Sequence, residues 1–136
     1  MAEILVQSSK KEKNYRGKTV EELKKMDTRE FAKLLKSRPR RAVLRNFNVI
    51  EEFVKRSDIK ISRGKQVKTH DRSLVIVPAL IGMTIGVHNG KEFTQIKVNE
   101  EMLGHRLGEF AGTRKHVKHG SAGVGATKSS ASLSVK

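Results

Sequence analysis

The chain has no cysteine and no tryptophan, and its only tyrosine is Tyr15. Without thiols, disulfide scaffolds, zinc ribbons and thiol catalysis are excluded. Aromatic residues make up 4% of the 136 residues, which argues against a single-strand binder built on many stacking rings. Acidic groups are also scarce: 14 Asp and Glu face 29 Lys and Arg, leaving +15 at pH 7 with the five His neutral. Such an imbalance weakens the compact state by self-repulsion and calls for a polyanion, nucleic acid first and an anionic surface second. Hydrophobic residues reach only 36%, so the core must be small and the length suits one domain. No apolar run approaches the roughly 20 residues that span a bilayer. The start, MAEILVQSSKKEK, has no basic stretch followed by a long apolar one. The expectation is a soluble, intracellular, cytoplasmic protein with no membrane partner.

The chain opens with an arm over 1–18 that carries Lys10, Lys11, Lys13, Arg16 and Lys18 and is interrupted by Gly17. Thr19 with Glu22 has capping-box spacing, and Asp27 with Glu30 repeats it, so 19–36 reads as two short helices. Leu23 and Met26 would face inward on the first, and Phe31, Leu34 and Leu35 on the second. Pro39 predicts a break. After it Val43, Phe47, Ile50 and Val54 mark one face of a single helix over 41–56, widened by Leu44 and Phe53. Ser57-Asp58 and Ser62-Arg63-Gly64 punctuate its exit.

From Gln66 the period changes to that of strands. A short strand is predicted near 66–70, and Leu74–Val77 is an extended apolar run stopped by Pro78, at an edge or leading into a turn. Asn89-Gly90 is the preferred pair for a two-residue type I′ hairpin turn, which would set Gly86 opposite Phe93. Met83, Ile85 and Val87 then share a face with Thr94, Ile96 and Val98. This hairpin is nearly neutral, with Lys91, Lys97 and Glu92 its charged residues, so it can pack. Met102, Leu103, Leu107 and Phe110 have helical spacing, but Gly104 and Gly108 point to a short irregular helix or turn. Beyond Ala111 the chain is rich in Gly, Ser, Ala and Lys without an apolar period, the composition of a tail disordered when free.

The positive charge falls into three groups. Lys36, Arg38, Arg40, Arg41 and Arg45 have no acid among them. Guanidinium groups fork onto phosphate, and this cluster sits at a helix start, where free amides favour anions. A solvated helix face is the competing reading. Arg63, Lys65, Lys68, His70 and Arg72 form the second group. Alternation puts Lys68, His70 and Arg72 on one strand face at about 6–7 Å intervals, as a phosphate-tracking ridge or a guarded edge. Arg114, Lys115, His116, Lys118 and His119, with Lys128 and Lys136, form the third, either threading along nucleic acid or merely solubilising the end.

The remaining chemistry is thin. His116 and His119 lack a third metal ligand nearby, and His105 with Glu109 at i, i+4 suggests a local hydrogen bond. No Ser-His-acid order, P-loop or Gly-x-Gly-x-x-Gly occurs, so no enzyme, cofactor or small-molecule substrate is expected.

Three runs then stand in a familiar order: Lys68-Thr69-His70-Asp71-Arg72, Gly86-Val87-His88-Asn89-Gly90-Lys91, and Met102 through Leu107-Gly108-Glu109-Phe110 to Thr113. They resemble the small-subunit ribosomal protein nineteen family. Tyr15-Arg16-Gly17, the paired helices, Arg38-Pro39-Arg40-Arg41 and Gly125-Ala126-Thr127-Lys128 resemble its archaeal and eukaryotic branch. The lysine-rich start favours the archaeal type. The resemblance implies binding to small-subunit rRNA in the 3′ major domain of the subunit head. It also implies pairing with ribosomal protein thirteen and a C-terminal tail reaching toward tRNA. By motif, Lys68, His70, Arg72, Lys91, His105 and Arg114 would face rRNA, with Arg106, Lys115 and Lys118 beside them.

The expected architecture is α+β: a small three-stranded sheet, mixed or antiparallel, near 66–70, 83–88 and 93–98, backed by the 41–56 helix. Residues 1–40 would form the arm and helical extension, 41–112 the rRNA-binding core, and 113–136 the basic flexible tail. A non-specific chromatin-type DNA-binding protein is the alternative.

Overall fold

The computed structural model describes residues 14–116. The lysines of the first thirteen residues, and Lys118, His119, Lys128 and Lys136, lie outside the described residues.

The expected arm is, from Tyr15 on, a tight turn. Tyr15 and Lys18 exchange backbone hydrogen bonds at 2.9 and 3.1 Å across Arg16 (φ 50) and Gly17 (φ 78), the type I′ pattern. The Tyr15 ring packs on Phe31 at 6.0 Å. Two short helices follow, as the cap spacing requires. Helix α1 (Val20–Lys25) has the reciprocal Thr19–Glu22 capping box. Helix α2 (Thr28–Leu34) begins at Asp27, whose Oδ1 accepts from the Thr28 amide at 2.8 Å. Leu23, Phe31 and Leu35 are buried in one cluster with Ile76, Ile85 and Leu107. The N-terminal helices therefore share the core with the sheet.

Three helix boundaries differ from expectation. Pro39 does not break a helix: α3 (Ser37–Arg45) starts ahead of it. First-turn amides have no intrahelical acceptor, so a proline there removes no bond. The break comes at Asn46 (φ −104, ψ 25), and α4 runs from Phe47 to Ser62. The expected single helix over 41–56 is thus two. The change at Asn46 leaves Leu44 on the outside, 52% exposed, while Val43 is buried. Ser57 does not end α4, because its hydroxyl donates back to the Phe53 carbonyl at 2.7 Å and is satisfied inside the core. The true exit is a Schellman motif: Gly64 (φ 66) donates to Ile61 O and Lys65 to Lys60 O. Arg29 lies over the Phe47 ring at 4.3 Å, tying α2 to the start of α4.

The sheet is mixed, in the order β1 (Val67–Thr69), β2 (Thr84–His88), β3 (Phe93–Lys97), with β1 parallel and β3 antiparallel to β2. Val67, Ile85 and Ile96 form one row of its inner face. The crossover carries Leu74–Val77, all buried but outside the sheet. It lies along 104–107 through Ile76 N–H to His105 O, Gly104 N–H to Ile76 O and Leu107 N–H to Leu74 O. Pro78 opens a 3-10 turn, Pro78–Leu80. Two further 3-10 turns, Glu100–Met102 and Leu107–Glu109, replace any longer helix.

The hairpin register is offset from the expected one. Gly86 opposes Gln95, and His88 opposes Phe93. Asn89 is outside the positive-φ region; its amide donates to Glu92 O, and its Oδ1 accepts from the Lys91 and Glu92 amides. Gly90 (φ 102) and Lys91 are the central residues, so the turn resembles type II′ rather than I′. The Asn89 side chain accepts the Glu92 amide, the part that the first carbonyl of a turn ordinarily plays. The partner of each residue moves by two positions, which preserves the face, so the apolar set stays together. Gly90→Val is expected to cost about 1–2 kcal/mol, since a β-branched residue resists positive φ. A melting temperature equal to that of the parent would show that the turn does not need glycine.

Candidate nucleic-acid interface

Helix α3 spaces Arg38, Arg41 and Arg45 at i, i+3 and i+7, so the three share one face, and all are exposed. Lys36 is the N-cap, also exposed. Arg40 points elsewhere. Its Nε donates to Ala32 O at 3.2 Å and its Nη2 to Lys33 O and Leu35 O at 2.7 and 3.3 Å. These are carbonyls at the end of α2, where a cation also meets the negative end of the helix dipole. Arg40 therefore locks α3 to α2 while the other three guanidiniums face outward.

The second group divides in the same way. Arg63 and Lys65 are exposed at the α4 exit, and Lys68 is exposed on β1 between buried Val67 and Thr69. The alternation read from the sequence holds there. Arg72, by contrast, is half-buried and clamps three carbonyls: His88 O at 2.7 Å from Nη1, and Gly108 O and Ala111 O at 2.8 and 2.7 Å from Nη2. It joins the end of β2 to the last 3-10 turn. An arginine in a basic run and an arginine in a carbonyl cage look alike in sequence.

Lys91 is exposed in the hairpin turn. Lys115 donates to Glu92 Oε1 at 3.1 Å, and that hydrogen bond is the main reason the Glu92 carboxyl is held below its usual range. Arg114 is exposed. His105 meets Glu109, Nδ1 to Oε2 at 2.7 Å, the local pair that the spacing suggested. The Glu109 carboxyl is also lowered, first by the Arg106 amide that donates to Oε1 and then by His105. Among the described residues no group of three or more His, Asp or Glu side chains converges as a metal site. None of their helices is long and apolar enough to cross a membrane.

The structure also gathers residues that the sequence scatters. Arg16, Lys36, Arg38, His105 and Arg106, with the carboxylates Glu101 and Glu109 among them, line one open groove of about 450 Å³ between the Tyr15–Lys18 turn, the start of α3 and the 104–109 segment. Arg16 belongs to the expected arm, yet the Tyr15–Lys18 turn carries it into this groove. On the sheet, Lys68, His70, His88 and Phe93 cluster. The result is a surface with exposed cations on three sides: the α3 stripe, the groove, and the outer face of the sheet with its α4 flank. Such a surface can follow a folded, multiply charged backbone.

Residues 55–119 match the family model described as Ribosomal protein S19. The match takes in the second half of α4, the sheet and the 3-10 turns, and leaves α1 to α3 ahead of it.

Proposed function

The chain belongs to the ribosomal protein S19 family, and from that premise we propose a place in the head of the small ribosomal subunit, on the 3′ major domain of its rRNA. Membership makes it a structural, non-enzymatic constituent of the small subunit that binds rRNA and serves translation. The finer reading adds ribosomal protein thirteen as its protein neighbour and a tail directed toward tRNA. The three helices that precede the matched region support the archaeal and eukaryotic branch, and the lysine-rich start favours the archaeal type within it.

One observation carries the proposal: the matched span contains Arg63, Lys65, Lys68, His70, Lys91, His105, Arg106, Arg114, Lys115 and Lys118. The work of these groups is phosphate neutralisation. Each phosphate contact releases counterions, so affinity falls with salt in proportion to the number of contacts. Paired RNA exposes little readable base edge, so the fit to one rRNA fold rests on where the cations stand. Arg40 and Arg72 serve that placement indirectly, by fixing α3 on α2 and β2 on the last 3-10 turn.

The test is titration of a 3′ major-domain rRNA fragment and of duplex DNA across a range of salt. Tighter binding to the fragment is expected at every salt. Equal affinity with equal slope would mean charge alone suffices and would favour a chromatin-type binder. In the same assay Arg38→Ala with Arg41→Ala should reduce the salt slope by about two while leaving the melting curve in place. An unaltered slope would mark the α3 stripe as merely solvated.

A further inference from the structure

The outer face of the sheet is built in rows. Lys68, Gly86 and Gln95 lie across the three strands in one row, and His88 and Phe93 are paired in the next. His70 stands one position past the last paired residue of β1, level with His88. Its ring lies 4.5 Å from that of His88 and 5.1 Å from that of Phe93, and the His88 and Phe93 rings are 4.9 Å apart. Three of the few rings in this chain thus form one cluster across three strands. His70 is exposed, and His88 and Phe93 are half-buried.

The cluster is held in place. The Gly90 amide donates to His88 Nδ1 at 3.1 Å, which fixes that ring, and Arg72 holds the His88 carbonyl from behind. Lys68 Nζ lies 5.4 Å from the Phe93 centroid. Gly86 leaves the middle of the adjoining row without a side chain, and a Cβ there would meet Gln95 Nε2 at 3.1 Å and Lys68 Cγ at 3.3 Å. The next row outward is Thr84 with Lys97. No acidic residue occupies these rows.

We propose that this face stacks an unpaired nucleobase of the bound RNA on the exposed His70 ring, which His88 (inclined at 40°) and Phe93 (edge-on at 76°) buttress, with Lys68 taking the adjoining phosphate. The proposal rests on the rRNA-binding reading and adds to it a contact that is not electrostatic. Rings on a solvent-facing sheet, flanked by the ammonium groups of Lys68 and Lys97, suit a base and its phosphate better than an apolar peptide. The base must be unpaired, because in a helix its faces are already stacked. Stacking on one aromatic side chain contributes enough to shift affinity about tenfold, with little dependence on sequence.

The test uses the full chain with an oligoadenylate of about eight nucleotides and, as a second probe, an RNA duplex of about sixteen base pairs. His70→Ala is expected to weaken oligoadenylate binding about tenfold, leave its salt slope unchanged and leave duplex binding unchanged. His70→Phe should restore it, whereas Lys68→Ala should lower the slope by about one. Oligoadenylate binding unaffected by His70→Ala would overturn the proposal. So would a slope lowered by His70→Ala, restoration by His70→Lys but not His70→Phe, or equal losses on the duplex. The wild-type comparison of rRNA fragment with DNA fails or succeeds independently, so the two readings fall separately.

Discussion

Arg72→Lys is expected to lower the unfolding free energy by about 3 kcal/mol, and Arg72→Ala by somewhat more. The guanidinium reaches three backbone carbonyls at 2.7–2.8 Å that belong to residues far apart in the chain, His88, Gly108 and Ala111. Hydrogen bonds from a charged donor contribute about 1.5–3 kcal/mol each, and a half-buried setting lets water recover part of that. Lysine keeps the charge but offers one compact ammonium in place of a planar fork, so it cannot hold all three acceptors. The urea midpoint should fall with the m-value unchanged. The rRNA salt slope should stay near that of the parent under conditions where the variant is folded. A midpoint that holds while the slope drops would return Arg72 to the RNA-facing set.

Gly104→Ala should be comparably costly for a different reason. Gly104 has φ 78, which disfavours any side chain, and a Cβ there would lie 2.7 Å from Leu35 Cδ2 and 3.3 Å from the Tyr15 hydroxyl. Its amide donates to Ile76 O, so the backbone cannot simply move aside. The conformational part is about 1–2 kcal/mol and the overpacking part about 1–3. Gly82 separates them. It has φ 91 but open space where its Cβ would stand, so Gly82→Ala should show only the first part. The difference between the two melting shifts measures the clash. Leu35→Ala combined with Gly104→Ala should recover some of it, as coupling between contacting sites requires. Equal shifts for the two glycines would mean that the Leu35 contact relaxes freely.

Neither residue's packing role is legible in the sequence, where Arg72 stands among the RNA-facing cations. The glycine at 104 was legible only as a helix weakener. That it marks the point where the 100–110 segment presses on α2 and the Tyr15 turn depends on Leu35, some seventy positions earlier. The His105–Glu109 pair was legible because its geometry is local. The same holds for the Thr19 and Asp27 caps and the Gly64 exit, each complete within a few residues. Pro39 is not legible as a first-turn residue, because the rule against helical proline applies to interiors and local sequence does not set where α3 starts.

The scarcity of aromatics still rules out an extended stacking surface, yet folding brings His70, His88 and Phe93 into a single small one. Composition and local spacing set the excess of positive charge, the capped helices, the in–out alternation of the strands and the need for glycine at the hairpin turn and the α4 exit. These depend on composition or on contacts within one or two turns of chain, where covalent geometry limits the choices. Tertiary structure alone decided the hairpin register, the break at Asn46 and which arginines face outward. Arg38, Arg41 and Arg45 lie on the free side of α3, whereas Arg40 and Arg72 fall beside backbone carbonyls gathered at a helix end and in turns. A guanidinium binds a phosphate and a cluster of carbonyls by the same donors, so only the packing around it determines which acceptor it meets.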